Sequence, residues 1–496
     1  MLNQHLARPG HRKIEQDMDA KVSEPIAVPL LIGGVWKQSA TTFDSVDPYH
    51  GDVVSVTAKT SPEELDAALD AAVAAAPVVA AIPAYERAAI LKRVAALLAE
   101  RADDIGLVMA RETGKALKDA RAEVKRCQDT VNLSAEEAIR IEGQHVPLDG
   151  SAMGVGKMAF LMPFPVGVVA AITPFNAPFN LAMHKIAPAI AAGNSVIIKP
   201  PQQCPAVVHH LVELFVEAGI PDGAINVVHG GPSVGERLVK DSRVDFITFT
   251  GSSRVGAEIR NNAGLRRVAL ELGGNGPTIV CEDADIAAIA PMLALNATRL
   301  AGQSCISVQN IFVPAGMADE LTEAIASEME KLVVGDPLAD TTDIGTLIDE
   351  DAARRVEAWV NEAAAAGATV VTGGKRQGAQ FTPTLLSNVT PDMKVVCDEV
   401  FGPVASVVTY NDVSEAIKFV NDSPYGLQCG VFTDSTKMAM RAAREIRTGG
   451  VIINGSSTWR TDQLAYGGVK DSGIGREGPR YAIQDMTDKR LVLFNL

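Results

Sequence analysis

Gly167-Val-Val-Ala-Ala-Ile172 leads into Thr173-Pro-Phe-Asn-Ala-Pro178, then an apolar stretch near Leu181–Ala192, then Ser195-Val-Ile-Ile-Lys199. This run decides the fold. Short β-rich segments of this kind alternate with helix-length ones: a helix is predicted near Ala206–Ala218, a strand at Ala224–Val228, a helix near Val234–Val239 and a strand at Phe246–Phe249. Strand, helix, strand at this rhythm means parallel βαβ units in a doubly wound α/β sheet, covered on both faces. Such sheets bind ligands beyond the C-terminal ends of their strands. Three strand ends here carry polar or glycine-rich turns: Thr173–Pro178, Lys199-Pro-Pro-Gln202 and Thr250-Gly-Ser-Ser-Arg-Val-Gly256. The last opens a helix, so its free N–H groups and the helix dipole suit a pyrophosphate. It lacks the full GxGxxG spacing, and an ordinary Gly-Ser turn is the other reading. Lys199 reads as a ribose or phosphate ligand or as a solvated lysine.

Upstream, residues 1–24 are expected to be a loose tail, Leu30–Trp36 suggests a hairpin around Gly33-Gly34, and Ser61-Pro-Glu-Glu64 is a capping box opening a helix over Pro62–Ala76. Further helices are expected at Tyr85–Arg101 and Ala116–Ile141 from their three- and four-residue apolar spacing. Downstream, Ala269-Leu-Glu-Leu-Gly-Gly-Asn275 places Glu271 between two leucines. Burial there would raise its pKa and suit it to general-base work; on the wet face of a strand it would be an ordinary carboxylate. Ala301-Gly-Gln-Ser-Cys-Ile-Ser-Val-Gln-Asn310 sets Cys305 between a helical run (Pro291–Leu300) and a strand-like one (Ile306–Val313). Such a cysteine is a nucleophile when its thiolate is exposed and an inert thiol when it is core. The second half repeats the α/β style, with strands at Ala368–Thr372, Val404–Val408, Gly430–Phe432 and Val451–Asn454. The bare apolar strand Arg490–Asn495 needs a partner edge, which pairing between subunits would supply.

The chain has 496 residues, more than one hydrophobic core usually serves, and its 47% apolar content is ample for two or three lobes. A net charge of −15 argues against a nucleic-acid or anionic-membrane surface. The six cysteines form no CxxC or Cys/His cluster, which fits free thiols in a reducing compartment and argues against structural zinc. With no apolar run of spanning length and no signal-peptide pattern, a cytoplasmic protein is expected.

Taken in order, Thr173-Pro-Phe-Asn176, Phe249-Thr-Gly-Ser252, Glu271-Leu-Gly-Gly-Asn275, Gly302-Gln-Ser-Cys305, Glu399-Val-Phe-Gly-Pro403 and Tyr466-Gly-Gly-Val-Lys-Asp-Ser-Gly473 resemble the aldehyde dehydrogenase superfamily over nearly the whole chain from about Pro25. The resemblance implies an NAD(P)-binding domain (25–140 and 162–274), a catalytic domain (275–483) and a small β oligomerisation element (141–161 and 484–496) that builds a homodimer or homotetramer. It implies Cys305 as nucleophile, Asn176 with the Cys305 N–H as oxyanion donors, and Glu271 as the base that activates water against a thioester. For NAD or NADP it implies contacts from Thr173, Pro174, Phe175, Lys199, Gly251, Ser252, Leu272, Gly273, Glu399 and Phe401. Gln202 stands where NAD-selective members have Glu; an amide does not repel a 2′-phosphate, so NADP use is open.

The expected substrate pocket is built from Arg126, His184, Ser304, Ile306, Trp459 and Arg460. Arg126 and Arg460 fall where non-phosphorylating glyceraldehyde-3-phosphate and phosphonoacetaldehyde dehydrogenases place anion-binding arginines, and lactaldehyde dehydrogenases belong to the same neighbourhood. Those branches also carry arginine immediately before the cysteine, where this chain has Ser304, so a singly charged or hydroxylated tail fits better than a doubly charged one. Arg126 as a surface ion pair and His184 as a packed neutral histidine are the competing readings. Alternatives for the whole protein are a thioester or ester hydrolase using the same Cys–Glu pair, and a non-catalytic nucleotide-binding oligomer.

Overall fold

The structure, a computed structural model, describes residues 24–496; the expected N-terminal tail lies outside the described residues apart from its last residue. The run from Gly167 folds as its rhythm dictates. Strands Val168–Ile172, Ser195–Lys199, Ile225–Val227, Phe246–Thr250 and Arg267–Glu271 form the parallel centre of an eight-stranded sheet. The first two are buried at every position, as strands covered on both faces must be. The Leu30–Ile32 and Val35–Lys37 hairpin closes one edge in antiparallel fashion, and Gly473–Ile474 closes the other. From Val168–Ile172 the chain builds first toward Ile225–Val227, then crosses to Phe246–Thr250 on the opposite side. The strand order therefore reverses between Val168–Ile172 and Phe246–Thr250, and the crevice for a ligand lies beyond their C-terminal ends.

The capping box forms as expected, with Ser61 and Glu64 exchanging side-chain and backbone bonds, and its helix runs on to Ala81. Helices Ala84–Thr113 and Leu117–Ala138 pack against Pro178–Ala192 to build the larger core on one face of the sheet. A second sheet of seven strands, centred on Pro277–Val280 and Asn310–Pro314, carries its own cores on both faces. Lys157–Pro165 pairs with Gln144–Val146 and with Thr487–Asn495 in a third, three-stranded sheet.

Three expectations are corrected. The C-terminal strand finds its partner within its own chain, nine residues of it in antiparallel register with Lys157–Pro165, so subunit pairing is not needed to satisfy that edge. The hairpin extends past 161 to Pro165, because that register continues to Thr487. The stretch 473–483, expected with the second unit, packs on the first: Gly473–Ile474 joins its sheet and Pro479–Asp485 lies against Pro178–Ala192 and Leu117–Ala138.

Candidate active site

The helix Ile286–Thr298 ends before the cysteine turn, and a 3-10 segment, Arg299–Gly302, follows. Leu300, Ala301 and Gly302 are consecutively left-handed, with φ of 58°, 52° and 68°. Only glycine fits the third position, where a Cβ would lie 2.0 Å from the Gly402 carbonyl oxygen. Gln303 ties the turn down by accepting from the Ile348 N–H at 2.9 Å, and regular strand resumes only at Asn310, four residues later than the sequence pattern suggests. The turn delivers Cys305, partly exposed, to a cavity of about 410 Å³ at the reversal point of the first sheet.

Asn176 and Glu271 line the same cavity. Asn176 sits in the turn after Val168–Ile172, its carbonyl accepting from Lys115 Nζ at 2.9 Å. Lys115 is paired with Glu123, whose Oε1 accepts from the Phe179 and Asn180 N–H groups, each at 3.1 Å, so a buried ion pair fixes the turn. Glu271 ends its strand at 4% exposure, which excludes the wet-face reading. Burial and the neighbouring Glu477 push its carboxyl well above the usual range against Arg460, Lys185 and Arg476, and its Oε2 has no partner among the described residues. Cys305 Sγ lies 3.3 Å from the Tyr466 hydroxyl, and burial pushes its thiol up to about 12.

The far wall of the cavity contains Pro174, Phe175, Gly251, Ser252, Leu272, Gly273, Glu399 and Phe401. Phe175 and Phe401 meet edge to face at 5.9 Å between ring centres. Ser252 caps the helix Ser253–Asn262, the N-terminus aimed at the crevice. Burial pushes Glu399 up to about 7, and its Oε1 accepts from the Gly274 N–H at 3.1 Å. Among the described residues Thr173 Oγ1 is buried without a partner and Lys199 Nζ has only the Pro200 carbonyl at 3.4 Å, burial lowering its pKa to about 8. Neither Lys199 nor Gln202 lines this cavity; both approach the start of the helix Pro232–Lys240, where a Cβ on Gly231 would lie 3.3 Å from Gln202 Oε1 and one on Gly235 would lie 3.6 Å from Lys199 Cδ. The weakly bonded Lys199 amine and the Gln202 amide beside a helix N-terminus fit a dinucleotide.

The arginines converge. Arg126 and Arg460 line this cavity and an adjoining one of about 360 Å³, as do Ser304 and Ile306. Each arginine is anchored by one nitrogen on a buried carboxylate. Arg126 Nη2 donates to Asp462, which also accepts from Thr130 Oγ1 at 2.6 Å; Arg460 Nη2 donates to Glu477 at 2.9 Å, and Glu477 is also bound by Lys185 at 3.1 Å. Burial works against Asp462, yet hydrogen bonds from His184 and Arg126 hold its carboxyl far below the usual range. Arg460 Nε is buried and has no partner among the described residues. The ion-pair reading of Arg126 is therefore correct, and compatible with its place in the wall.

Two expected pocket residues are not in the wall. His184 is fully buried behind it, Nε2 lying 3.3 Å from Asp462 and from Arg460, and burial lowers its pKa. Trp459 is 53% exposed and stands outside both cavities, because its neighbour Arg460 takes the inward direction. Sequence reasoning missed Asp462 and Glu477 as anchors, Tyr466, and Arg355, which lines the larger cavity and donates to the Val400 carbonyl at 2.7 Å. It also missed Arg299, in the wall of the smaller cavity and bonded through Nε to Asp119 at 2.8 Å. Arg299 lies six residues before the cysteine, a position that distance along the chain alone does not mark.

Comparison with known proteins gives matches over nearly the whole chain. The model of the aldehyde dehydrogenase family matches residues 36–492. A 3-sulfolactaldehyde dehydrogenase of Priestia aryabhattai is 44% identical over 468 residues, 94% of this chain and 98% of its own length. Among solved structures, aldehyde dehydrogenase 21 of Physcomitrella patens in complex with the reaction product succinate superposes with a TM-score of 0.93 at 38% identity, covering 96% of this chain and 99% of that one. The NADP-dependent glyceraldehyde-3-phosphate dehydrogenase of Bacillus halodurans C-125, complexed with NADP, gives 0.93 at 37% identity, covering 95% and 100%.

Proposed function

This chain belongs to the aldehyde dehydrogenase family and is an NAD(P)-dependent aldehyde oxidoreductase, and on that premise we propose that it oxidises a small aldehyde with a singly charged acidic tail to the carboxylic acid, with Cys305 as nucleophile. The observation that carries the tail is the pair Arg126 and Arg460, each anchored by one nitrogen and facing the cavity that holds Cys305. Counted as formal charges, the ion-paired cluster of Arg126, Arg460, Lys185, Asp462 and Glu477 carries one net positive charge, while Arg355, Glu271 and Glu399 line the larger cavity outside that cluster. Arg299 is balanced by Asp119. A sulfonate or carboxylate neutralises that excess, while a doubly charged phosphate overshoots it. The relatives that act on 3-sulfolactaldehyde and hold succinate are consistent with this choice.

In the reaction, Cys305 attacks the aldehyde carbon and the oxyanion is held by the Asn176 amide and the Cys305 N–H, a donor of this kind contributing about 3 kcal/mol. Lys115 keeps the Asn176 turn in place. Pro174, Phe175, Gly251, Ser252, Glu399 and Phe401 would hold the dinucleotide, which when bound supplies the hydride acceptor. Glu271, with raised proton affinity, takes a proton from water as it attacks the Cys305 thioester. Arg126 and Arg460 orient the tail throughout.

A homodimer or homotetramer is part of the reading, supported by the exposed Leu491, Leu493 and Phe494 on the outer strand of the three-stranded sheet. Six free cysteines support a cytoplasmic location; among the described residues no single helix is long and apolar enough to cross a membrane. The test is protection: small alkyl sulfonates and carboxylates that lack the aldehyde should slow alkylation of Cys305 and compete with substrate. Equal protection by uncharged alcohols of the same length would refute the acidic-tail reading.

A further inference from the structure

Tyr466 stands beside the reacting sulfur. Its backbone is fixed by a two-way bond with Glu477, the Tyr466 N–H donating to the Glu477 carbonyl at 3.1 Å and the Glu477 N–H returning at 2.6 Å. Its ring is 4% exposed, with the Arg460 guanidinium 3.8 Å from the ring centre. Its hydroxyl lies 3.3 Å from Cys305 Sγ, the one hydrogen bond recorded for it among the described residues. Burial and the neighbouring sulfur push the phenol well above its ordinary 10, so it keeps its proton over the working range. A thiolate has no proton to give, so in the ionised pair the O–H donates. The cation over the ring withdraws electron density and strengthens that donor.

The other surroundings of Cys305 mostly oppose ionisation. Burial is the largest, then the Glu399 and Glu271 carboxylates; Arg460 helps, but one of its nitrogens is committed to Glu477, which also faces Lys185. Tyr466 is the neighbour that acts most strongly in the opposite direction. We propose that Tyr466 is a catalytic residue whose O–H donates to the Cys305 thiolate and stabilises it for attack on the aldehyde. The inference rests on Cys305 being the nucleophile. The Sγ–H bond breaks, the proton leaves to water in the cavity, the electron pair stays on sulfur, and the Tyr466 O–H bond stays intact. When the C–S bond forms, that pair is shared with carbon and the hydrogen bond weakens, so the contact acts on the attacking state.

Tyr466→Phe removes the hydroxyl and keeps the ring under Arg460. The readout is the rate of iodoacetamide alkylation of Cys305 against pH, followed by mass spectrometry of its own peptide because five other free cysteines are present. The expected result is alkylation slowed at least about tenfold throughout the range from about pH 7 to about pH 9, with an unchanged melting temperature. An unchanged rate across that range, or faster alkylation from a loosened site, overturns the proposal. Cys305→Ser tests the underlying reading separately by dehydrogenase turnover. Since the alkylation rate is read without turnover, failure of either claim is recognised on its own.

Discussion

Replacing Arg126 with Leu should separate tail recognition from chemistry. The Arg126 side chain is 37% exposed and uses one nitrogen on Asp462, leaving the rest of its fork toward the two cavities. A hydrogen bond to a charged group contributes about 1.5–3 kcal/mol net, and solvent at the half-open mouth argues for the lower part, about 1.5–2 kcal/mol. That corresponds to a loss of about 10- to 30-fold in kcat/KM for acid-tailed aldehydes. Because the contact is made equally in the bound and transition states, the loss should fall on KM with kcat nearly unchanged. Asp462 keeps Thr130 and the nearby His184, so the stability cost should stay below the roughly 3–5 kcal/mol of a broken, fully buried pair. The assay is steady-state NAD(P)H formation with sulfonate-, carboxylate- and methyl-ended aldehydes of equal length, with thermal unfolding run in parallel. An equal loss for the methyl-ended aldehyde, or none for the charged ones, would refute the reasoning.

Glu271→Gln should retain a first-turnover burst of NAD(P)H while steady turnover falls by about 10²–10⁴-fold, with an acyl group on Cys305 seen by intact-mass measurement; no adduct would remove Glu271 from the deacylation step. Lys199 is protonated below about 8 and loses its charge above it, so kcat/KM for NADP should fall more steeply than for NAD as pH rises through about 8, and Lys199→Met should flatten the difference. Gly302→Ala places a Cβ against the Gly402 carbonyl in a left-handed residue, and should lower stability by on the order of 2–3 kcal/mol in denaturant unfolding and slow turnover.

The βαβ rhythm from Gly167 made the first sheet legible, because a parallel strand buried on both faces is apolar throughout and its crossover helix follows at once. Cys305, Asn176 and Glu271 could be picked out as candidates because each sits in a motif at a strand or helix end, and the structure brings all three to one cavity. Their companions could not be picked out. Arg126 and Asp462 are 336 residues apart and Lys185 and Glu477 292 apart, so nothing local marks which carboxylate anchors which cation. His184 and Trp459 went wrong for the same reason: a position near a pocket does not fix which way a side chain points, and here Asp462 holds the histidine behind the wall while Arg460 takes the inward place beside the tryptophan. The C-terminal strand read as needing a second subunit because its partner, Lys157–Pro165, lies more than three hundred residues earlier.

The central claim is tested most directly by kcat/KM for a series of three-carbon aldehydes that differ only in the terminal group, measured with NAD and with NADP by absorbance in the near ultraviolet. The account predicts that sulfonate and carboxylate ends exceed the uncharged end by about tenfold or more and also exceed phosphate. An uncharged aldehyde oxidised as well as the acidic ones would contradict it.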